Sequence, residues 1–312
     1  MQMISKKINT RPLSALLLFC FAVQAHAQLK PQDEKMLRGL EDSLKAWSKQ
    51  MVMAQDASTR FYADSIFIKK FVQALKVPGS FYYPFDSVKT VSKLYAPDSS
   101  FRICTWEIQK DESYFRQYGA IQMHTKDGTL KLFPLFDQSD YAVIPTDSVR
   151  SNRNWIGAIY YQVVMKEFNG KKYYTLIGLD DNDFTSTRKW IEVLSFDEAG
   201  TPVFGGPFFS YKDEMNKPQQ PVARFCLEFK KDGKARLNYD KELDIIIFDH
   251  LVSEIPGDDN KFNLISDGDY EGFKWSNGKW VHVSKIFAEQ KLKDGQAPVP
   301  VPFKDDTGKP IE

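Results

Sequence analysis

The chain has 312 residues, of which 42 are Lys or Arg and 41 are Asp or Glu, so its formal net charge is +1 at pH 7. A chain with so small a net charge lacks the excess of basic residues that binds nucleic acid or an anionic membrane surface, which argues against both as partners. Its length and its 14% aromatic content suffice for one large domain or two smaller ones, which excludes disorder throughout.

Residues 1–27 have the pattern of a secretory signal peptide. Three basic residues precede the apolar run 13–23, and an Ala-His-Ala cleavage site follows at 25–27. The run has 11 residues, whereas a membrane-spanning helix needs about 20. We therefore expect export, a mature chain that starts at Gln28, and no transmembrane segment in it. Removing three of the 42 basic residues leaves 39 against 41 acidic ones, a net charge of −2.

Two helices are predicted next, as an α-helical hairpin over residues 28–79. Apolar residues recur at steps of three and four between residues 31 and 56, which is typical of an amphipathic helix. Asp56 or Ser58 can cap a second helix, which Pro78-Gly79 ends. We expect the apolar stripe to pack on the following domain; recruitment of a partner helix is the alternative.

From residue 80 onward, short β-branched and aromatic runs alternate with turn signals. Ten candidate strands begin at Phe101, Tyr118, Leu130, Trp155, Lys172, Arg188, Val222, Ala235, Leu243 and Lys279. Hairpin-type dipeptides occur at Asp127-Gly128, Asn169-Gly170, Asp232-Gly233 and Asn277-Gly278. The sequence thus predicts an α+β fold: a mainly antiparallel β domain over 80–296, built as a sandwich or partly open barrel of hairpins. The tail 297–312 is Pro-rich and predicted to be flexible.

A weak internal repeat raises a second possibility for the β domain. Gly119-Ala120-Ile121 leads into LFPLFD, and Gly157-Ala158-Ile159 leads into TLIGLD. A repeated hairpin is compatible with propeller-like blades, although two copies fall short of a regular array. A propeller-like β repeat is therefore the alternative to the sandwich.

Four runs carry a resemblance to a known group of proteins: YYTLIGLDDND, RKWIEVLSFDEAGTPVFG, RFCLEFKKDGKARLNYDKELDIIIFDHL and DGDYEGFKWSNGKW. Over roughly residues 101–283 the chain resembles uncharacterised secreted proteins of Bacteroidota. The resemblance implies an envelope location, periplasmic or extracellular, including association with the outer membrane. It carries no assigned activity, so it implies no catalytic residue.

An Asp-His pair ends the apolar run of residues 242–257, ELDIIIFDHLVSEIPG. Side chains alternate along a strand, so Asp249 and His250 point to opposite faces of a straight strand. They share a pocket only if a bulge or a strand end intervenes. We interpret them as the polar end of a core strand and keep both as catalytic candidates.

Glu192 is the third catalytic candidate. It shares a strand face with Trp190 and Leu194, an apolar setting that predicts a raised pKa suited to a general acid. Arg188 lies on the same face, and a carboxylate paired with an arginine on a sheet is more often structural. The pattern therefore favours a structural Glu192.

Three tryptophans are candidate ligand-binding residues. Trp190, Trp275 and Trp280 can stack on sugar rings if they are exposed. Trp275 and Trp280, however, face each other across the Asn277-Gly278 turn, where an aromatic pair stabilises a hairpin by about 0.2–1 kcal/mol. The cross-strand pair is the favoured interpretation.

Asp180, Asp181 and Asp183 form an acidic cluster with Asn182. Its oxygens suit calcium, but the run lacks the glycine and the distal glutamate of a helix-loop-helix site. A hydrated turn is favoured, since Asp and Asn populate turns readily. The histidines lack paired metal spacing, and no phosphate-binding or nucleophile motif occurs, so no metal or cofactor is predicted.

Two cysteines, Cys104 and Cys226, remain after the signal peptide. A disulfide is permitted in an exported protein, but the two strands present them on faces of different character. Two free thiols are therefore favoured over a bridge.

Taken together, the sequence favours an exported cell-envelope binding or accessory protein whose partner is an envelope protein or a glycan. No catalytic constellation is evident. The alternatives are a carbohydrate-directed hydrolase, which needs only two carboxylates at a suitable separation, and a glycan-binding module.

Overall fold

The computed structural model describes residues 29–211, 223–258 and 260–286. The predicted signal peptide and the Pro-rich tail lie outside these residues. Two helices come first, α1 (Pro31–Met53) and α2 (Ala57–Leu75). Asp56 caps α2, since its carboxylate accepts a hydrogen bond from the Thr59 N–H at 2.8 Å. The predicted helical hairpin is therefore confirmed, and neither helix combines the length and apolar character that crossing a membrane requires.

Fifteen strands follow in the described residues. They are β1 (Ser92–Tyr95), β2 (Phe101–Asp111), β3 (Tyr114–Met123), β4 (Lys131–Phe136), β5 (Arg150–Ser151), β6 (Ile159–Phe168), β7 (Lys171–Asp180), β8 (Ser186–Phe196), β9 (Pro202–Phe204), β10 (Phe209–Ser210), β11 (Arg224–Lys230), β12 (Leu237–Asp240), β13 (Ile245–Ser253), β14 (Leu264–Ser276) and β15 (Lys279–Val283).

The strands form three open sheets. The first has the order β1-β2-β3-β4, the second β5-β9-β8-β7-β6, and the third β10-β15-β14-β13-β12. In addition, β11 pairs with the free part of β8 in the second sheet. Every pair in these sheets is antiparallel except β10 with β15. The α+β, mainly antiparallel prediction is confirmed, and the sheets stay open instead of closing into a barrel.

Three apolar cores separate four stacked layers, because the central strands bury both faces. The helices cover one face of the first sheet, where they meet Trp106 and Ile108 of β2. Phe101 and Ile103, on the opposite face of β2, pack on the second sheet. The far face of the second sheet packs on the third. The sandwich prediction thus extends to three sheets.

Some of the turn dipeptides mark hairpins of the structure, and one does not. Asn169-Gly170 and Asn277-Gly278 join paired strands, with positive φ at all four residues. Asp232-Gly233 instead joins β11 to β12, which pair with β8 and β13. The predicted hairpin there is wrong, since a turn dipeptide reverses the chain without selecting the strand's partner.

The two similar segments are not equivalent repeats. Gly119-Ala120-Ile121 lies inside β3, third in its sheet, whereas Gly157-Ala158 precedes β6, an edge strand of the second sheet. Their continuations are β4 and β7, which again hold different positions. The segments therefore do not support the propeller-like alternative.

Arg102 ties the segment after α2 to the first sheet. Its side chain is fully buried, and it donates to the Tyr83 carbonyl at 2.6 Å, the Ser80 carbonyl at 3.0 Å and Gln122 Oε1 at 2.8 Å. The guanidinium also lies 5.1 Å from the centre of the Phe85 ring, a cation–π contact. These contacts fix the path of the chain between the helical layer and β1.

Replacing Arg102 by Met should destabilise the protein by roughly 2–4 kcal/mol, because buried carbonyls lose their donors. Urea unfolding of the mature chain measures this loss. Arg38→Met is the matched control: Arg38 lies on α1, its side chain is 72% exposed, and its partner Glu34 is one turn away. Equal stability of the two variants would contradict the role given to Arg102.

Candidate functional site

Two adjoining cavities lie where β11 meets the third sheet, and we call them together the β11–β13 cleft. The first has a volume of about 250 Å³ and lies between β11, β13 and the start of β14. The second, of about 320 Å³, lies against β8 and the chain segment at 145–146. Cys226, Glu228 and Lys261 line both cavities. The cleft therefore runs across the boundary between the second and third sheets.

Asp249 and His250 both line the first cavity, beside a register shift in the pairing of β13 with β14. Asp249 pairs with Tyr270 and Leu251 pairs with Ser266, so β13 advances by two residues where β14 advances by four. The extra residues of this bulge therefore lie in β14 and not in β13.

Asp249 is a buried carboxylate without a side-chain partner. Its residue is 5% exposed, and no described group donates a hydrogen bond to Oδ1. Burial lowers the pKa of Lys189 although the nearby Asp249 carboxylate opposes this shift, and the Lys189 ammonium donates to the Ala235 carbonyl at 2.6 Å. Buried polar groups are normally hydrogen-bonded, so an unpaired carboxylate oxygen at a cavity is an unusual feature.

His250 belongs to a row of histidines and carboxylates along the same edge. Its Nδ1 lies 2.7 Å from Asp267 Oδ2, and its Nε2 lies 3.6 Å from Glu271 Oε1. The second oxygen of Glu271 lies 2.6 Å from His282 Nε2. Each imidazole therefore faces a carboxylate, an arrangement that holds the rings in place.

The second cavity is lined by an ion pair and a buried indole. Arg188 Nε lies 3.2 Å from Glu228 Oε2, and the Ser186 hydroxyl donates to Glu228 Oε1 at 2.7 Å. Trp190 is 2% exposed and forms part of the wall. Lys261 also lines this cavity; it is exposed and forms no ion pair with any described residue.

Glu192 lies in a sealed network and does not line either cavity. It is 1% exposed; Arg224 Nε lies 3.1 Å from its Oε2, and the Tyr160 hydroxyl donates to its Oε1. Trp155 Nε1 in turn donates to the Tyr160 oxygen at 2.8 Å. Such a carboxylate reaches neither substrate nor water. Its arginine partner is Arg224 of β11 and not Arg188, because β11 pairs with β8 in a register that places Arg224 opposite Glu192.

Burial also removes the tryptophan faces that sugar stacking requires. Trp190 is 2% exposed and Trp280 is fully buried, with its indole N–H donating to Thr175 Oγ1 at 2.8 Å. Trp275 is half-buried and packs on Trp280 with ring centres 5.2 Å apart. The cross-strand pair is confirmed by the register Trp275 opposite Trp280. Glycan binding through Trp190 or Trp280 is therefore not supported.

The acidic turn uses its oxygens for local structure. Asp183 Oδ1 accepts from the Thr185 and Ser186 N–H groups at 2.7 and 2.9 Å, whereas Asp180 Oδ1 accepts from the Asn182 N–H at 2.9 Å. Asp181 Oδ1 lies 3.7 Å from Lys231 Nζ. The carboxylates thus face different partners. In residues 29–211, 223–258 and 260–286, no group of three His, Cys, Asp or Glu side chains has the geometry to hold a metal ion.

Glu107 joins this turn in a cluster that the sequence did not reveal. Gln117 Nε2 donates to Glu107 Oε2 and to Asp180 Oδ1, both at 2.7 Å. Burial, together with repulsion by Asp181 and Asp180, raises the pKa of Glu107 to about 8. Burial raises the pKa of Asp180 to about 6. The contact joins β2 of the first sheet to the end of β7 in the second, and no short motif signals it.

Both cysteines are free thiols. Cys104 is buried in the core between the helices and the first sheet, and Cys226 lies in the cleft. Burial raises the pKa of each thiol, which disfavours the nucleophilic thiolate. Cys226 therefore contributes to the cleft as a small apolar side chain.

Comparison of the chain with protein-family models, with curated proteins and with solved structures gives no match. The inferences below accordingly rest on the geometry of the chain itself.

Replacing Glu192 by Gln should destabilise the protein by about 3–5 kcal/mol, because the Arg224 charge stays buried without its counter-ion. Urea unfolding measures the change. Glu254→Gln is the matched control: Glu254 pairs with Lys230 at the surface, where an ion pair contributes about 1 kcal/mol or less. A fully stable Glu192→Gln protein would contradict a structural Glu192.

Stability should fall as the pH rises from about 4.5 to about 8. Glu107 and Asp180 have ordinary pKa values of 4.5 and 3.8, and the fold raises them to about 8 and about 6. In that window the folded state binds more protons than the unfolded state, so raising the pH favours unfolding. Asp64, whose pKa burial raises to about 6, acts in the same direction.

Unfolding free energies measured across this range should decline less steeply in Glu107→Gln, whose amide does not titrate. Asp64 titrates in both proteins, so the difference between the two curves reports Glu107 together with its interaction with Asp180 and Asp181. Parallel curves for the two proteins would contradict the raised pKa of Glu107.

Proposed function

We propose that the protein is an exported cell-envelope binding protein whose ligand occupies the β11–β13 cleft. The signal-type pattern of residues 1–27 and the resemblance to secreted proteins of Bacteroidota support the export. The observation that carries the binding role is the Asp249 carboxylate, 5% exposed and unpaired at Oδ1, in the wall of a cavity between two sheets. Ligand sites are typically concave, with a few convergent polar groups in an otherwise apolar lining.

Binding fits the cleft better than hydrolysis does. A glycosidase needs one free carboxyl as an acid and another as a nucleophile or base. In the first cavity, Glu228 contacts Arg188 and Glu271 contacts His282, which leaves Asp249 as the carboxylate with an oxygen that has no partner. Binding requires only shape and complementary charge, and a cavity with one such carboxylate supports it better than it supports hydrolysis.

The test is a thermal-shift screen of the mature protein, purified from its native envelope fraction, against protein-free envelope extracts. An extract that contains the ligand should raise the melting temperature, because a ligand that binds only the folded state stabilises it. Cys226→Trp, which adds a large side chain at a residue that lines both cavities, should abolish the rise. Leu243→Trp, at an exposed turn at the other end of β13, should retain it.

Two results would contradict the proposal. A rise of equal size in Cys226→Trp would place the ligand outside the cleft. Recovery of the protein from the cytosol with residues 1–27 intact would contradict export.

A further inference from the structure

The three carboxylates that line the first cavity differ in the side chains that they contact. Glu228 has Arg188 as its partner at 3.2 Å, and Glu271 has His282 at 2.6 Å. Asp249, the most buried of the three, has neither an ion pair nor a hydrogen bond to Oδ1 among the described groups. Asp249 is thus the carboxylate of this cavity that has a buried oxygen without a hydrogen-bond partner.

Neither nearby lysine donates a hydrogen bond to Asp249 Oδ1. Lys189 commits its ammonium to the Ala235 carbonyl at 2.6 Å. Lys261 lines the cavity from an exposed position at the rim, with no ion pair to any described carboxylate. An unpaired buried charge is costly, and a cation supplied from outside the chain would offset that cost.

Aromatic rings complete the environment around this carboxylate. Phe225 lines the same cavity and is half-buried; it packs on the buried Phe248, with ring centres 4.7 Å apart. The faces of aromatic rings attract organic cations, and a carboxylate forms charge-assisted hydrogen bonds with N–H donors. A neutral hydroxyl would gain only the weaker hydrogen bond. A volume of about 250 Å³ admits an alkylammonium or alkylguanidinium group.

We propose that the first cavity of the cleft binds the ammonium or guanidinium group of an organic ligand, with Asp249 as its counter-ion. The inference rests on the proposed function, since it assigns the ligand class of the same cleft. A basic side chain of a protein and a free polyamine both carry this group. A small probe with one cationic head therefore tests the shared chemistry.

The experiment measures chemical-shift changes in the isotope-labelled mature protein upon titration with n-butylammonium, n-butylguanidinium and the neutral isostere n-butanol. The amides of residues 226–228 and 248–251 should respond to at least one of the cationic probes and not to n-butanol. Tighter binding of n-butylammonium would indicate a lysine-like ligand, and tighter binding of n-butylguanidinium an arginine-like ligand. Raising the salt concentration should weaken the binding.

Asp249→Asn keeps the shape of the side chain and removes its charge. It should weaken binding of the cationic probe about tenfold or more, as expected for the loss of a charge-assisted hydrogen bond. Glu254→Gln, an equal change of charge outside the cleft, should leave the affinity within about twofold. Unchanged affinity in a folded Asp249→Asn protein would overturn the assignment of Asp249.

The remaining outcomes separate the two proposals. If n-butanol or a neutral envelope component binds at residues 226–228 while neither cation does, the ligand class is overturned and the binding cleft stands. If neither the probes nor any envelope extract produces a response at these residues, both proposals are overturned.

Discussion

The buried ion pair between Arg224 and Glu192 is the constraint on which the cleft depends. It joins β11 to β8, and the same guanidinium donates to the Ser148 carbonyl at 3.0 Å and to the Pro145 carbonyl, which fixes the segment at 145–148. Pro145 and Thr146 then form the outer wall of the second cavity. A buried pair is not inherently stabilising, but once formed it is strongly unfavourable to break. The geometry of β11, and with it that of Cys226 and Glu228, follows from this pair.

The third sheet supplies the other wall, where the pairing of β13 with β14 is irregular. Asp249 and His250 line the first cavity beside the register shift, whose extra residues belong to β14. Bulges occur frequently at functional edges of sheets, where they redirect a side chain. The cleft thus combines a rigid wall, set by a buried ion pair, with a wall shaped by a bulge.

Local sequence patterns predict the helices and several hairpins, because helical periodicity, the Asp56 cap and the Asn-Gly turns act over a few residues. They do not predict which residues pair over long distances in the sequence. The strand pattern predicts Arg188 as the partner of Glu192, because both lie on one face of the same strand. The observed partner, Arg224, lies on β11, 32 positions later in the chain. β14 carries Gly268 and Gly272 among acidic residues, and it forms a strand because β13 and β15 pair on either side of it. Gln117, which bridges Glu107 and Asp180, belongs to no motif.

The two thiols lie in different layers, Cys104 beneath the helices and Cys226 at the junction of the second and third sheets. Both are free thiols, so packing, hydrogen bonds and ion pairs hold the described fold without a bridge between Cys104 and Cys226. Its assembly therefore needs no oxidant and no isomerase to sort cross-links. The described residues can reach the same structure whether their surroundings are reducing or oxidising, so the fold does not depend on the redox state around it.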